Sequence, residues 1–433
     1  MNTAECLELL RSELKPAVGC TEPAAIALAV ARTMGYLKDD LVELLVEMSG
    51  NIYKNAFAVM IPGAGEAGVP LAAALGAVLP GADLELRLFE EMCPECIAAA
   101  KALLAGGMVK IGVLEPAPEK FYIHVKAKGK KREVETWTEK FHTNMTRANV
   151  DGRPIMVCAD RLPGQAAKPA NTNLTALELK DLIALVEQLP ADELEFLMES
   201  VEMNKAMAEE GLKQKAGLGL GYGVKSLMDA HAMGGDLLTR IRIAVASACD
   251  GRMGGIKQPV MSTTGSGNQG ILVSLPIALV AEERGLPRER ELRGLALGNL
   301  ITAFVKQFIG KLTPICGCAI AAGLGVAGAV AWMLGGTPEQ VEAATRDMMA
   351  NLAGMICDGA KGGCAFKLAS SASESVLAAL LALEGVEVGS EEGIVSSTLK
   401  ETVRNVATLC TKGMANQDQA LIEILRRKQE RAC

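Results

Sequence analysis

Apolar residues recur at three- and four-residue spacing over Thr3–Leu14 and Thr21–Met34, which predicts two helices at the start of the chain. Leu41–Met48 is apolar and β-branched enough for a strand or a helix end. Asn55–Ile61 predicts a strand, followed by a turn at Pro62–Gly65. Val69–Leu79 and Pro94–Leu104 have helical periods, and Val109–Leu114, Phe121–Lys126 and Glu133–Trp137 read as strands. Lys128–Arg132 reads as a charged hairpin tip. Leu162–Thr175, rich in Pro, Gly, Ala and Asn, is the best linker. Beyond it almost every segment is helical: Leu177–Leu189, Ala191–Gly211, Gly223–Met233, Leu237–Cys249, Glu289–Gly310, Ile320–Leu334, Pro338–Met355, Ser373–Leu383 and Ser396–Met414. Several are apolar on most faces, which implies burial among other helices. The expected fold class is α+β, with an N-terminal α/β domain over residues 1–165 and a large, mostly all-helical domain over 166–433.

Length and composition narrow the function. At 433 residues and half apolar, the chain has ample material for a core. A net charge of −7 with no basic face argues against a nucleic-acid partner, and 3 % aromatic residues leave few stacking platforms. Leu312–Thr337 is free of charge and long enough to span a bilayer. Its six glycines, Pro314 and the lack of flanking basic clusters favour a buried helix, so no membrane partner is expected. The first fifteen residues carry acids and no apolar run of a secretory signal, so a cytoplasmic location with reduced thiols is expected. Twelve cysteines against three histidines then direct attention to thiol chemistry.

Four motifs carry that chemistry. Cys316 and Cys318 open the charge-free segment, and Cys357 and Cys364 flank a loop with three glycines and a lysine. Thiols from two helix starts can converge on one centre, and thiolates select soft metals or iron–sulfur clusters. The spacings of 39 and 7 residues from Cys318 to Cys357 to Cys364 match no zinc ribbon or ferredoxin run, so buried structural cysteines are the competing reading. Gly19–Pro23 places Cys20 at a helix start, with Thr21 or Glu22 as the cap, and a helix N-terminus lowers a thiol's pKa. Met261–Ile271, with hydroxyls, amides and glycines before an apolar helix, can wrap a carboxylate or phosphate; it is not a Walker loop. In Ser49–Asn55, the side chains of Asn51, Lys54 and Asn55 can bind a substrate carboxylate or stand on the surface. Cys93-Pro-Glu-Cys96 has CxxC form but no thioredoxin-like context. Cys433 ends the sequence, where a tail can fold back onto a metal site.

Taken in order, Gly19–Pro23, Gly50–Asn55, Gly265–Gly270, Cys316-Gly-Cys318 and Ile356–Lys361 with Cys364 resemble the L-cysteine desulfidase family, which is related to the iron–sulfur L-serine dehydratases. The resemblance runs over nearly the whole chain: the N-terminal part is similar to the serine dehydratase β portion and the helical part to the α portion. It implies an oxygen-sensitive [4Fe-4S] cluster held by three cysteines, matching Cys318, Cys357 and Cys364 rather than Cys316. It also singles out Cys20. Where serine dehydratases have a Ser/His-rich motif, this chain has Gly-Cys-Thr-Glu-Pro, which argues against serine as preferred substrate.

The expected reaction is β-elimination of L-cysteine to pyruvate, ammonia and hydrogen sulfide, with the open iron as a soft Lewis acid for the substrate sulfur. Cys20 is the expected base, Ser266, Gly267 and Asn268 the expected carboxylate cradle, and Asn51, Lys54 and Asn55 its helpers. The expected partner is a small amino acid, and the apolar helices favour a homodimer. Three alternatives stand beside this: an L-serine dehydratase, a pyridoxal phosphate lyase using Lys257 or Lys367, and a non-enzymatic cysteine-rich scaffold.

Overall fold

The computed structural model describes residues 1–157, 173–310 and 312–432. The first part contains α1 (Thr3–Glu13), β1 (Lys15–Val18), α2 (Thr21–Leu37), β2 (Leu41–Ser49), α3 (Gly50–Ala56), α4 (Val69–Val78), α5 (Pro94–Ala105), β3 (Val109–Leu114), β4 (Tyr122–Gly129), β5 (Glu133–Glu139), β6 (Met145–Val150) and β7 (Arg153–Val157). There follow α6 (Leu179–Gln188), α7 (Met198–Lys213), α8 (Leu220–Asp229), α9 (Leu237–Met253), β8 (Pro259–Ser262), α10 (Gly267–Arg284), α11 (Arg288–Ile309), α12 (Gly317–Met333), α13 (Pro338–Leu352), α14 (Cys364–Leu383), α15 (Leu399–Thr408) and α16 (Gln417–Ala432). The fold is α+β, with a sheet in the N-terminal part and a mostly helical remainder, as the periodicities predict. Most of the expected linker lies outside the described residues.

The sheet is six-stranded in the order β3-β2-β4-β5-β6-β7, with β2 and β3 parallel and the other pairs antiparallel. Alternation along β2 turns Leu44, Val46 and Met48 inward, where they join Ile123, Val125, Ala127 and Val134. Helices α2 and α4 cover this face. A buried Thr33–Thr136 hydroxyl pair, 2.7 Å apart, satisfies the polar groups beneath α2. Residues 128–132 form the expected hairpin, closed by the Gly129 amide donating to Arg132.

A second, larger core is built from the helices after residue 173, and α1 belongs to it through Cys6, Leu9 and Leu10. In α12, every residue except Cys318 is buried, because α10, α11, α13 and α14 surround it. One helix, α14, is long and apolar enough to cross a membrane by length and composition, and it packs on α9, α12 and α13.

Three local expectations fail. Residues 50–56 are helix α3, and the strand expected over Asn55–Ile61 is reduced to a single bridge between Met60 and Ala67. Its apolar run is real, but Ile52, Ala56 and Ile61 are buried in the smaller core, so packing overrides the strand pattern. Strands β6 and β7 break apolar alternation with Arg147, Asn149 and Pro154, and escape a periodicity reading. The third case is Cys93 and Cys96, which are joined as a disulfide at the start of α5, whereas reduced thiols were expected.

Two crossings assemble the site. β1 pairs antiparallel with β8, Lys15 opposite Ser262 and Val18 opposite Pro259, which sets the loop after β1 beside the loop after β8. Further on, the Cys316 amide donates to Met355 and the Cys357 amide to Pro314, both at 2.7 Å, around an Ile315–Ile356 bridge. That clasp lays the two cysteine-bearing segments side by side.

Candidate active site

A cavity of about 100 Å³ lies where these crossings meet. Its walls include Cys20, Asn51, Lys54, Asn55, Ser266 and Asn268, and the thiols Cys316, Cys318, Cys357 and Cys364. Motifs separated by hundreds of residues are therefore brought together. Of the expected catalytic, substrate-binding and cluster residues, Gly267 does not line the cavity but lies against the Arg252 side chain that does; Lys257, Cys93 and Cys96 also lie off it. Cys433 is outside the described residues.

The thiol wall is set by helix starts. Cys318 is the second residue of α12 and Cys364 the first of α14. Ser266 Oγ lies 3.2 Å from Cys318 Sγ. Burial pushes the Cys318 thiol up to about 11; the Ser266 hydrogen bond opposes this, and the neighbouring Cys364 and Cys357 add to it. Burial, then Cys318, Cys357 and Cys364, also raise Cys316 well above its ordinary value. Lys367 donates to the Ile356 carbonyl at 2.8 Å and, with Lys361, pairs with Asp358 at 2.5 Å, bracing the loop between Cys357 and Cys364.

Among the described residues, no three His, Cys, Asp or Glu side chains are grouped tightly enough to hold a single metal ion. Four soft thiols lining one cavity are nevertheless of the kind a polynuclear iron–sulfur centre takes, since such a centre draws its thiolates to separate irons. The residues present fit such a group.

The Cys20–Glu22 pair lines the same cavity. Cys20 is the N-cap of α2, and no side chain caps that helix, contrary to the cap expected at Thr21 or Glu22. Glu22 is buried and serves as an acceptor hub: Cys20 Sγ and Thr21 Oγ1 each donate at 3.0 Å, and Asn55 Nδ2 donates at 3.1 Å. Burial alone would raise Glu22; His142, Cys20 and Thr21 outweigh it and hold the carboxyl at about 2. His142 Nε2 is 3.9 Å away, close enough for attraction to the carboxylate. The expected lowering of the Cys20 thiol does not occur. Burial and the Glu22 charge raise it well above its ordinary value, and the helix N-terminus does not compensate. Cys20 is a thiol donating to a carboxylate.

The third side is the loop after β8. Thr263 and Ser266 exchange backbone hydrogen bonds at 3.2 and 3.0 Å, and Thr264 and Gly265 between them have φ of +50° and +83°. This is the two-residue turn whose centre favours glycine, and it aims Ser266 at Cys318. Thr264 Oγ1 donates to Gln269. Asn268 Oδ1 accepts from Arg252 Nη1 at 2.9 Å. Lys54 is buried, its Nζ 2.5 Å from Asp418 on α16.

Sequence reasoning missed Glu22 as the hub, together with His142 and Arg252. His142 comes from the β5–β6 turn and stands edge-on to Phe121; nothing near it in sequence marks it. Residues 85–423 match the family model described as serine dehydratase alpha chain. The chain belongs to the serine dehydratase alpha chain family. Relatives within reach of the whole chain are UPF0597 proteins. One from Clostridium botulinum is 38 % identical over 418 residues, 96 % of each chain. One from Clostridioides difficile is 37 % identical over 423 residues, covering 97 % of this chain and 98 % of its own. A third, from Desulfatibacillum aliphaticivorans, is 38 % identical over 431 residues and 98 % of both. Membership of this family makes a lyase role plausible, and every residue of the thiol wall falls inside the matched span.

Proposed function

We propose that this protein is an iron–sulfur-dependent carbon–sulfur lyase that converts L-cysteine and water to pyruvate, ammonia and hydrogen sulfide. The observation that carries the reading is that one cavity is lined both by four thiols, Cys316, Cys318, Cys357 and Cys364, and by the hydrogen-bonded Cys20–Glu22 pair. Cys318, Cys357 and Cys364 would hold the cluster. When bound, the cluster supplies a Lewis-acidic iron that makes the β-substituent a better leaving group.

The chain's own residues handle the proton. Cys20 is the proposed base: its thiol, held protonated at rest by burial and the Glu22 carboxylate, gives up that proton to solvent, and the thiolate so formed takes the proton from the substrate Cα. The C–H electron pair becomes the Cα=Cβ bond as the Cβ–S bond breaks, and hydrosulfide leaves with the electron pair of the Cβ–S bond. The enamine then tautomerises and hydrolyses. Glu22, held ionised at about 2, is too weak a base to take that proton itself; along the 3.0 Å hydrogen bond it positions the Cys20 sulfur. Ser266 on the thiol side and Asn51 and Asn55 on the Glu22 side border the space between, and the buried Asn51 Oδ1 has no partner within the described residues.

The family description favours one other substrate, L-serine, through the same elimination of a hydroxyl. Anaerobically prepared protein separates them. We expect sulfide and pyruvate in equal amounts from L-cysteine, at a higher kcat/KM than pyruvate from L-serine. Cys20→Ala should keep its iron and acid-labile sulfide and lose about 10²-fold or more in turnover. Cluster-loaded protein that releases neither product from L-cysteine ends the proposal; loss of iron in Cys20→Ala would make Cys20 a ligand.

A further inference from the structure

Arg252 lies in the last turn of α9 and is 2 % exposed, yet it lines the cavity. Its Nη1 is held by Asn268, and its buried Nε has no hydrogen-bond partner within the described residues. The nearby acids are occupied elsewhere. Asp250 accepts from the Leu218 and Gly221 amides at 3.2 and 3.0 Å, and Glu22 is taken by Cys20, Thr21 and Asn55. Of the three lysines on the cavity wall, Lys54 has Asp418 and Lys367 has Asp358, while Lys306 stands near Cys318. A guanidinium removed from water without an anion costs several kcal/mol, and its planar fork matches a carboxylate.

We propose that Arg252 is the receptor for the substrate's α-carboxylate, its Nε left without a hydrogen-bond partner while Asn268 fixes Nη1. The inference rests on the lyase reading for the identity of the substrate, and on the guanidinium's partnerless Nε for the carboxylate. The placement agrees with the chemistry. Arg252 lies near enough to Cys20 to oppose the rise of its thiol, and Asn268 is two residues from the Ser266 that touches Cys318. A carboxylate on Arg252 therefore leaves Cα toward Cys20 and the β-substituent toward the thiol wall. Gly267 belongs to this arrangement: a Cβ there would fall 2.5 Å from Arg252 Nε, so any side chain would push the guanidinium out of line.

The test is calorimetric titration of the anaerobic holoenzyme with L-alanine and with L-alaninamide. Neither has a leaving group, so binding is read apart from elimination, and they differ in carboxylate against neutral amide. Wild type should prefer L-alanine by roughly 10- to 100-fold. Arg252→Gln should lose that preference while keeping its iron content, and Arg252→Lys should recover part of it. Gly267→Ala, which keeps the arginine but displaces its guanidinium, should lower the preference severalfold and serves if Arg252→Gln does not fold. Wild type that binds both ligands equally or neither, or an Arg252→Gln protein that still prefers the carboxylate, overturns the assignment. A carboxylate preference in protein that releases no sulfide from L-cysteine would uphold Arg252 and reject the lyase.

Discussion

Gly359 has φ of +93°, and a Cβ built on it would stand 2.3 Å from the Lys54 carbonyl oxygen. It thus meets two demands at once, a left-handed backbone and direct contact of the 357–364 loop with α3. Gly359→Ala should cost roughly 2 kcal/mol or more, and the shift should pass to its neighbours Cys357 and Asp358. Urea midpoints and iron content per chain after anaerobic reconstitution would read both effects; wild-type values in each would show that this approach is dispensable. The residue itself was visible in sequence as part of a glycine-bearing loop between thiols, and so were Cys318, Cys357, Cys364 and Cys20. Arg252 and His142 were not. What distinguishes Arg252 is the want of a partner at Nε, which is a property of three dimensions, and His142 reaches Glu22 only through the packing of the β5–β6 turn over α2. The direction of the Cys20 shift was also beyond sequence, because the dipole of a helix end is readable there while burial beside Glu22 is not.

At the scale of elements, periodicity located most of the helices because their apolar stripes are buried on packing, as in α6 and α15. It failed where a tertiary partner decided the outcome: α3 in place of a strand, and β1 and β8, which are four residues each and exist as strands only through each other. A similar tertiary contact secures α15. Glu342 of α13 accepts from the Leu399 amide at 2.6 Å, at the first residue of α15. Burial raises Glu342 from 4.5 to about 7; the Leu399 amide lowers it, nearby Glu178 raises it and Arg346 lowers it. A carboxyl raised on folding binds its proton more tightly in the native state. Its contribution to stability is therefore complete below pH 4.5 and is lost as pH rises toward 7. The loss should be about 1–3 kcal/mol, allowing for screening of a partly accessible group. Urea denaturation between pH 4.5 and 7.5 should show this slope in wild type and a flatter one in Glu342→Gln, whose amide oxygen still accepts from Leu399. Identical slopes would remove Glu342 as the source.

Across the whole molecule, the C-terminal helix returns to the N-terminal part, an arrangement that the pattern of α16 alone did not disclose. Gln417 donates to the Pro314 carbonyl at 2.6 Å, beside the clasp that aligns the cysteines. Ile422 is buried against Gly50, where a Cβ would fall 2.1 Å from its Cδ1, and Leu425 packs on the smaller core. Asp418 holds Lys54, whose side chain is 1 % exposed against 27 % for its partner. Removing one member of such a pair leaves a buried charge uncompensated, whereas replacing both with apolar groups does not. Asp418→Ala should therefore lower stability by roughly 2–4 kcal/mol, and the double change Lys54→Met with Asp418→Leu should cost less than that single change. Thermal and urea unfolding of the four proteins of the cycle would give the coupling. If Asp418→Ala leaves the midpoints where they were, the ion pair does not tie the last helix to the cavity wall, and the hold of α16 on the fold would rest on Ile422 and Leu425. If the coupling is large, the last helix is structurally part of the cavity, since the lysine it neutralises stands on the same wall as Asn51 and Asn55.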